Sequence, residues 1–314
     1  LVCLSQLNMF LSQLFILLLC IQTIIISAAT NIHENVATSC GASGNSPAPD
    51  GRLWIGDSTF TSSFLHLTGK STNSRVPHQA ALSDSVPYKS ARTSRHQFTY
   101  KFSVKPGHKF IRLHFEPALY KGFYKSKPIF TVKTDQHTLL SDFIPTLAAG
   151  VNYFKKEFCI NVQESKTLSI TFIPSQKSGF SEDTYAFVNA IEIVSMPSGL
   201  YFTPDGDQGV PVVGRNYRFY IDNSTAMETI QRINVGGNSI SSLEDATMFR
   251  DWEDDTNYLI EVGAFSINRA VDIRYTSSTS DIAPKKFTKR PGQWVRTTIR
   301  ISVISHGTFH LIRN

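Results

Sequence analysis

Nucleophiles, general bases and metal ligands leave characteristic spacings, and this chain of 314 residues carries none of the strong ones. Its nine histidines are scattered without a His-Glu-x-x-His pair, which removes the metal-activated water of a zinc hydrolase. Gly41-Ala42-Ser43-Gly44 lacks the Gly-x-Ser-x-Gly spacing that exposes a nucleophilic serine, and it reads as a loop after Cys40. Asp205-Gly206-Asp207 begins like a calcium loop, but the further oxygen ligands do not follow. Asp254 and Asp255 are adjacent, so on a strand they point to opposite faces and do not form a carboxylate pair. No phosphate-cradling glycine loop and no kinase catalytic motif occurs, which excludes phosphoryl transfer. No catalytic residue, metal or cofactor is expected.

Binding is the chemistry that remains. Tyr120, Phe123 and Tyr124 fall in a lysine- and glycine-rich segment, LYKGFYKSKP. Aromatic rings on a loop supply flat apolar area at low entropic cost, which suits contact with a sugar or a peptide. One or two of them serve equally well to cap a core. Phe249, Trp252, Asp254, Asp255 and Tyr258 form a second candidate surface, with Phe249 and Trp252 better explained as core.

The elements that must position these residues are strands. Phe (22) and Tyr (11) are abundant, and no long stretch holds an apolar stripe at helical spacing. Phe98–Val104 and Lys109–Phe115 read as a hairpin around Lys105-Pro106-Gly107-His108, since proline then glycine suits a type II turn. Ile111, Leu113 and Phe115 share one face, and Arg112 and His114 take the other. Leu168, Ile170 and Phe172 repeat the alternation, and Ala186–Val194 reads as one apolar strand. Many short strands with Gly, Pro and Ser punctuation imply a β-sandwich or jelly roll. Met196-Pro197-Ser198-Gly199 reads as a linker, with a second unit opening near Tyr217.

The net charge of +6 would favour an acidic partner such as nucleic acid, but its location removes that reading. Residues 285–314 hold seven Lys and Arg and no acid; without them 24 basic residues face 25 acidic ones. From Met9 an apolar run, broken by Gln13 and Gln22, ends in Ser27-Ala28-Ala29, so residues 9–29 read as a signal peptide. Cys3 and Cys20 precede the cleavage point. Cys40 and Cys159 remain for an oxidising compartment, where a disulfide between them is expected. Asn223-Ser224-Thr225 is a glycosylation sequon.

An ordered set of segments resembles the FERONIA-type malectin-like receptor kinases of plants. It comprises TSCGAS at 38–43, DGRLWIGD at 50–57, VPYKSARTSR at 86–95, FTYKFSVKPGHKFIRLHFEP at 98–117 and KEFCINV at 156–162. It continues with LSITFIPS at 168–175, YAFVNAIEIVSMP at 185–197, INVGGNSIS at 233–241 and MFRDWEDDTNYL at 248–259. The resemblance implies an all-β fold of tandem malectin-like, jelly-roll-like β-sandwich domains, the first at 30–197 and the second, incomplete, at 198–286. It also implies an extracellular ectodomain, secreted or at the outer face of the plasma membrane. Its ligand is a secreted peptide or a cell-wall polysaccharide, with a GPI-anchored co-receptor as a further partner and no nucleic acid. The alternative is a free secreted carbohydrate-binding lectin. Animal malectin binds glucose oligosaccharides through aromatics and an acid, and Tyr120 and Asp183 lie in comparable regions here.

The resemblance also implies a VYQTARSMG-like stretch after Ala283-Pro284, where this chain reads KKFTKRPGQW. Synonymous codons for this tail, read one base earlier, give VYQTARSMGPNNNSDFSYITWHFSLDSE. Residues 287–314 are therefore read as an out-of-frame tail following a one-base shift near Lys285 or Lys286. That reading predicts lost strands, open sheet edges and poor packing of 287–314.

Overall fold

The computed structural model describes residues 35–58, 64–76, 86–124, 126–148, 153–163, 167–176, 183–211, 216–234, 238–245 and 248–258, with Gln13 and the backbone of 298–305 and 308–312. Apart from Gln13, the leader read at 9–29 lies outside the described residues. Among those residues no helix is long and apolar enough to cross a membrane.

Strands follow one another as β1 Asn35–Ser39, β2 Asn45–Pro47, β3 Leu53–Gly56, β4 Leu65–Gly69, β5 Thr72–Arg75, β6 Ser90–Ser94 and β7 Phe98–Ser103. Next come β8 Gly107–Phe115, β9 Lys127–Pro128, β10 Phe130–Thr134, β11 Thr138–Phe143, β12 Phe154–Val162, β13 Thr167–Pro174, β14 Thr184–Val188 and β15 Ala190–Ser195. After Met196 come β16 Val210–Pro211, β17 Arg218–Phe219, β18 Ala226–Asn234, β19 Glu253–Asp254, β20 Thr298–Ser305 and β21 Thr308–Ile312.

A large sheet in the order β2-β3-β1-β15-β8-β12-β18-β20-β21 faces a five-stranded sheet, β11-β10-β13-β7-β4. Alternation explains the core between them. Ile111, Leu113 and Phe115 of β8 and Phe158 and Ile160 of β12 meet Tyr100 and Phe102 of β7 and Ile170 and Phe172 of β13. Phe98 and Phe172 sit opposite each other in register and stack at 5.0 Å. Cross-strand aromatic pairs of this kind stabilise a sheet by about 0.2–1 kcal/mol beyond alanine.

Two expected elements form differently. Phe98–Val104 and Lys109–Phe115 are not a hairpin: β7 joins the smaller sheet beside β13 and β4, while β8 joins the large sheet between β12 and β15. Lys105-Pro106 is an arch between layers, so the apolar faces of the two strands oppose each other across the core. Ala186–Val194 is two strands. β14 pairs with β6 and β9, and β15 pairs with β1 and β8. The break is Asn189, fully buried, whose amide donates to Ser90 O (2.9 Å) and accepts from Glu116 N–H (2.7 Å). Its backbone N–H donates to His114 O and its carbonyl accepts from Cys40 N–H. An asparagine that saturates four neighbours is what lets the chain turn inside the core.

The expected disulfide is corrected. Cys40 and Cys159 are free, buried thiols. Cys159 lies between Phe158 and Ile160, which face the sandwich core, so its own side chain goes to the opposite face with Phe110 and Met227. Cys40 packs inside the sandwich, so the sheet separates the two sulfurs. Burial pushes both thiols up, which keeps them protonated and unreactive.

The large sheet runs on past the linker read at 196–199. Glu157, Phe158 and Cys159 pair with Thr229, Glu228 and Met227 of β18. On its other side β18 carries the backbone hairpin β20–β21, with a register shift between Thr229 and Gln231. That edge of β18 is thus paired. The side chains of 287–314 lie outside the described residues.

Candidate functional site

Arg95 follows β6, Asp183 precedes β14, and the aromatic loop runs from the end of β8 to β9. These elements converge because β14 pairs with both β6 and β9. Arg95 Nε donates to Asp183 Oδ1 at 2.6 Å, and one terminal nitrogen donates to Gly122 O at 2.8 Å and Ser126 Oγ at 2.9 Å. The guanidinium also lies 4.5 Å from the centre of the Phe123 ring. Ser126 Oγ donates to Asp183 Oδ2 at 2.7 Å. Hydrogen bonds from Arg95 and Ser126 hold the Asp183 carboxyl below its ordinary value. Gly122 has φ +86°, a left-handed turn that a side chain would strain. One arginine thereby fastens the loop at three points.

The predicted aromatic residues divide into roots and tip. Tyr120 is fully buried; its hydroxyl donates to Glu116 O at 2.7 Å, and it is a core residue, not a contact residue. Phe123 is also buried, between Arg95 and Tyr185, whose ring centre is 4.8 Å away. Tyr124 is 61% exposed and Leu119 68% exposed. The loop therefore presents Tyr124 and Leu119 on a base fixed by Tyr120, Phe123 and Arg95. Sequence alone did not single out Arg95 or Leu119; the arginine's role depends on strand pairing that no local pattern encodes.

Beside Arg95 opens a cleft of about 570 Å³, lined among others by His96, Gln97, Thr131, Asp142 and Gln176. Asp142 has φ +45°, and its backbone N–H donates to Thr131 Oγ1 while Oδ1 accepts from Ser175 Oγ. Its lining brings amides, hydroxyls, one carboxylate and the Arg95 guanidinium together beside Ile173 and Pro174.

The second predicted surface does not converge. Trp252 is buried and bridges to Ile240, which is the core reading. Asp254 accepts from Ser239 Oγ and Thr256 N–H, so it caps the short 3-10 turn at Thr256–Tyr258. Asp255 is buried. The side chain of Tyr258 lies outside the described residues. Phe249, with φ +52°, lies over the Arg52 guanidinium at 4.7 Å.

A charged network on the outer face of the large sheet was not foreseen. Arg112 pairs in register with Glu157 on one side and Glu192 on the other. It donates to Glu157 (2.6 Å), Glu192 (3.1 Å) and Met248 O (2.7 Å), while Arg232 of β18 bonds the other Glu157 oxygen. Glu192 Oε1 accepts from His114 Nε2 at 2.6 Å, and Tyr88 hydroxyl meets His114 Nδ1 at 2.9 Å. Burial pushes the Tyr88 phenol up and His114 down within this network. Its work is to tie β8, β12, β15 and β18 together and to hold residues 248–251 against them.

Comparison with known proteins agrees with this architecture. The receptor-like protein kinase FERONIA of Arabidopsis thaliana is 39% identical over 259 residues, covering 81% of this chain and 28% of that protein. The chain therefore spans under a third of that relative. A solved structure of the plant peptide RALF23 in complex with FER and LLG2 superposes with a TM-score of 0.65 at 34% identity, over 80% of this chain and 62% of the other. The ANXUR2 extracellular domain from Arabidopsis thaliana gives a TM-score of 0.68 at 28% identity, over 80% and 64% of the two chains. A family model described as malectin-like domain matches residues 38–293. On its strands, its core and these matches, the chain belongs to the malectin-like domain family.

Proposed function

We propose that this chain is an extracellular ligand-binding ectodomain of the receptor-kinase type, and that it binds without catalysing. The observation that carries the reading is the loop fastened by Arg95, which presents Tyr124 and Leu119 from a rigid base. A preordered aromatic tip loses little entropy on binding, which is how few residues come to dominate an interface. Secreted peptides and cell-wall polysaccharide are the ligand classes, with a GPI-anchored co-receptor as a partner. The relative whose structure contains the plant peptide RALF23 and LLG2 supports the peptide class. The leader at 9–29, removal of it on export, domains at 30–197 and 198–286, and an out-of-frame tail at 287–314 belong to the same proposal.

A second reading, a free secreted carbohydrate-binding protein, is favoured by the polar cleft beside Arg95. Titration of the purified chain with secreted plant peptides and with wall oligosaccharides separates the two. Saturable binding to a peptide supports the receptor reading, and binding to an oligosaccharide alone supports the lectin. No binding to either panel, or hydrolysis of a glycan, overturns both.

A further inference from the structure

We propose that Tyr88 and Tyr153 are an oxidative cross-linking pair, joined carbon to carbon as a dityrosine when a haem peroxidase supplies the oxidant, with His114 taking the phenolic proton of Tyr88. The two rings meet at 4.6 Å between centres and 48° between planes. Among the described residues theirs is the ring contact that joins two tyrosines. Both side chains are partly exposed.

Each ring is held from behind. Tyr88 ends the short 3-10 turn Val86–Tyr88, whose Val86 packs with Trp54 and Ala190. Tyr153 directly precedes β12, where Phe154 packs against the core and Lys155 stands opposite His114 in register. Tyr153 thus comes up beside Tyr88 on the face of the large sheet that carries His114.

The Tyr88 hydroxyl has a base in contact with it. Burial alone raises the Glu192 carboxyl, but Arg112, His114 and Arg52 reverse this and keep it ionised. A carboxylate only accepts, so His114 Nε2, 2.6 Å from Glu192 Oε1, carries the hydrogen. Burial favours neutral His114, which turns the lone pair of Nδ1 to the Tyr88 hydroxyl at 2.9 Å. Burial also pushes the Tyr88 phenol up, so it does not ionise first. It gives up an electron readily only where its proton leaves at the same time. Nδ1 takes that proton, and the imidazolium formed is held against Glu192.

Hydrogen peroxide, acting through the peroxidase haem, takes one electron and one proton from each phenol and becomes two waters. The two phenoxyl radicals couple at one ortho carbon each, which forms the C–C bond. Those carbons then release one proton each, and the oxygens regain theirs, Tyr88 from His114. The product is two hydrogens lighter. Neither the ligand nor the loop at Tyr124 enters this chemistry.

The purified full chain, kept dilute, is treated with a haem peroxidase and hydrogen peroxide, digested, and read by dityrosine fluorescence and peptide mass. Expected is a monomer two hydrogens lighter, with the peptides holding Tyr88 and Tyr153 joined. That product is lost in Tyr88→Phe and in Tyr153→Phe, which keep the rings. Monomer with the two tyrosines unjoined overturns the pair, as does coupling only between molecules through exposed tyrosines such as Tyr124 and Tyr217. His114→Gln, checked for folding by tryptophan fluorescence, keeps an acceptor but not a base, and its yield of joined peptide falls. A yield equal to that of the natural chain overturns the role of His114, and the phenylalanine variants decide the pair independently of it.

Discussion

Replacing Glu157 with glutamine removes the single negative charge held between two buried guanidinium groups, those of Arg112 and Arg232. Burial by itself pushes the Glu157 carboxyl upward, but Arg232 and Arg112 reverse this and hold it well below the usual carboxylate range. The carboxylate is thus ionised and compensated, and its neutral replacement leaves two buried cations short of a partner. Breaking a buried pair from one side costs roughly 3–5 kcal/mol. For a unit of this size, about 2–4 °C per kcal/mol translates that into a melting temperature lower by roughly 6–20 °C. Urea unfolding followed by tryptophan fluorescence measures it directly, with the midpoint falling at an unchanged slope. Because the groups are shielded from solvent, raising the salt concentration restores little. Substituting Arg232→Met together with Glu157→Gln recovers part of the loss, since one stranded cation is gone. A loss under ~1 kcal/mol in the single variant, the range of an exposed pair, refutes the reasoning.

Tyr124→Ala leaves the unfolding midpoint within about 0.5 kcal/mol of the parent, whereas Tyr120→Ala lowers stability by ~3–5 kcal/mol; equal effects would contradict the division into tip and root. Asn189→Ala strands Glu116 N–H and Ser90 O inside the core and costs ~2–4 kcal/mol by denaturant titration, and a neutral result removes the corner from the account. His114 is held below its ordinary value by burial, against the pull of Glu192, so the unfolded chain takes up a proton first as pH falls. Stability therefore declines as pH falls below about 6.5, and His114→Gln flattens the decline; a profile that is the same in both proteins sinks the argument. Alkylation under denaturing, non-reducing conditions labels both Cys40 and Cys159, while native protein stays unlabelled; a mass two hydrogens short with no label shows a disulfide instead.

Much of the fold was legible because burial on one face imposes a period of two. Ile111, Leu113 and Phe115, and Leu168, Ile170 and Phe172, reach the core as their alternation requires. Connectivity was less legible. Lys105-Pro106-Gly107 has the residues of a tight turn, yet an arch between sheets uses the same ones, and only the partners of β7 and β8 distinguish them. Asn189 is a single polar residue in an apolar run, and its meaning as a corner depends on Ser90, Glu116 and Tyr120 arriving from elsewhere. Arg112 and His114 were placed on the face opposite the core, but nothing local said what covers that face. The register that sets Arg112 between Glu157 and Glu192 is a property of three strands together. The site was half legible for the same reason: aromatic type identified the loop, but not which rings point inward.

The account stands on Tyr124 and its loop as the ligand surface, and the most direct test compares affinities. The ligand found by titration is measured against the natural chain, Tyr124→Ala and Asp254→Ala. The expected result is a loss of at least tenfold for Tyr124→Ala alone, equivalent to about 1.4 kcal/mol. Unchanged affinity in Tyr124→Ala, with the loss in Asp254→Ala, would move the site to the second surface and contradict the account.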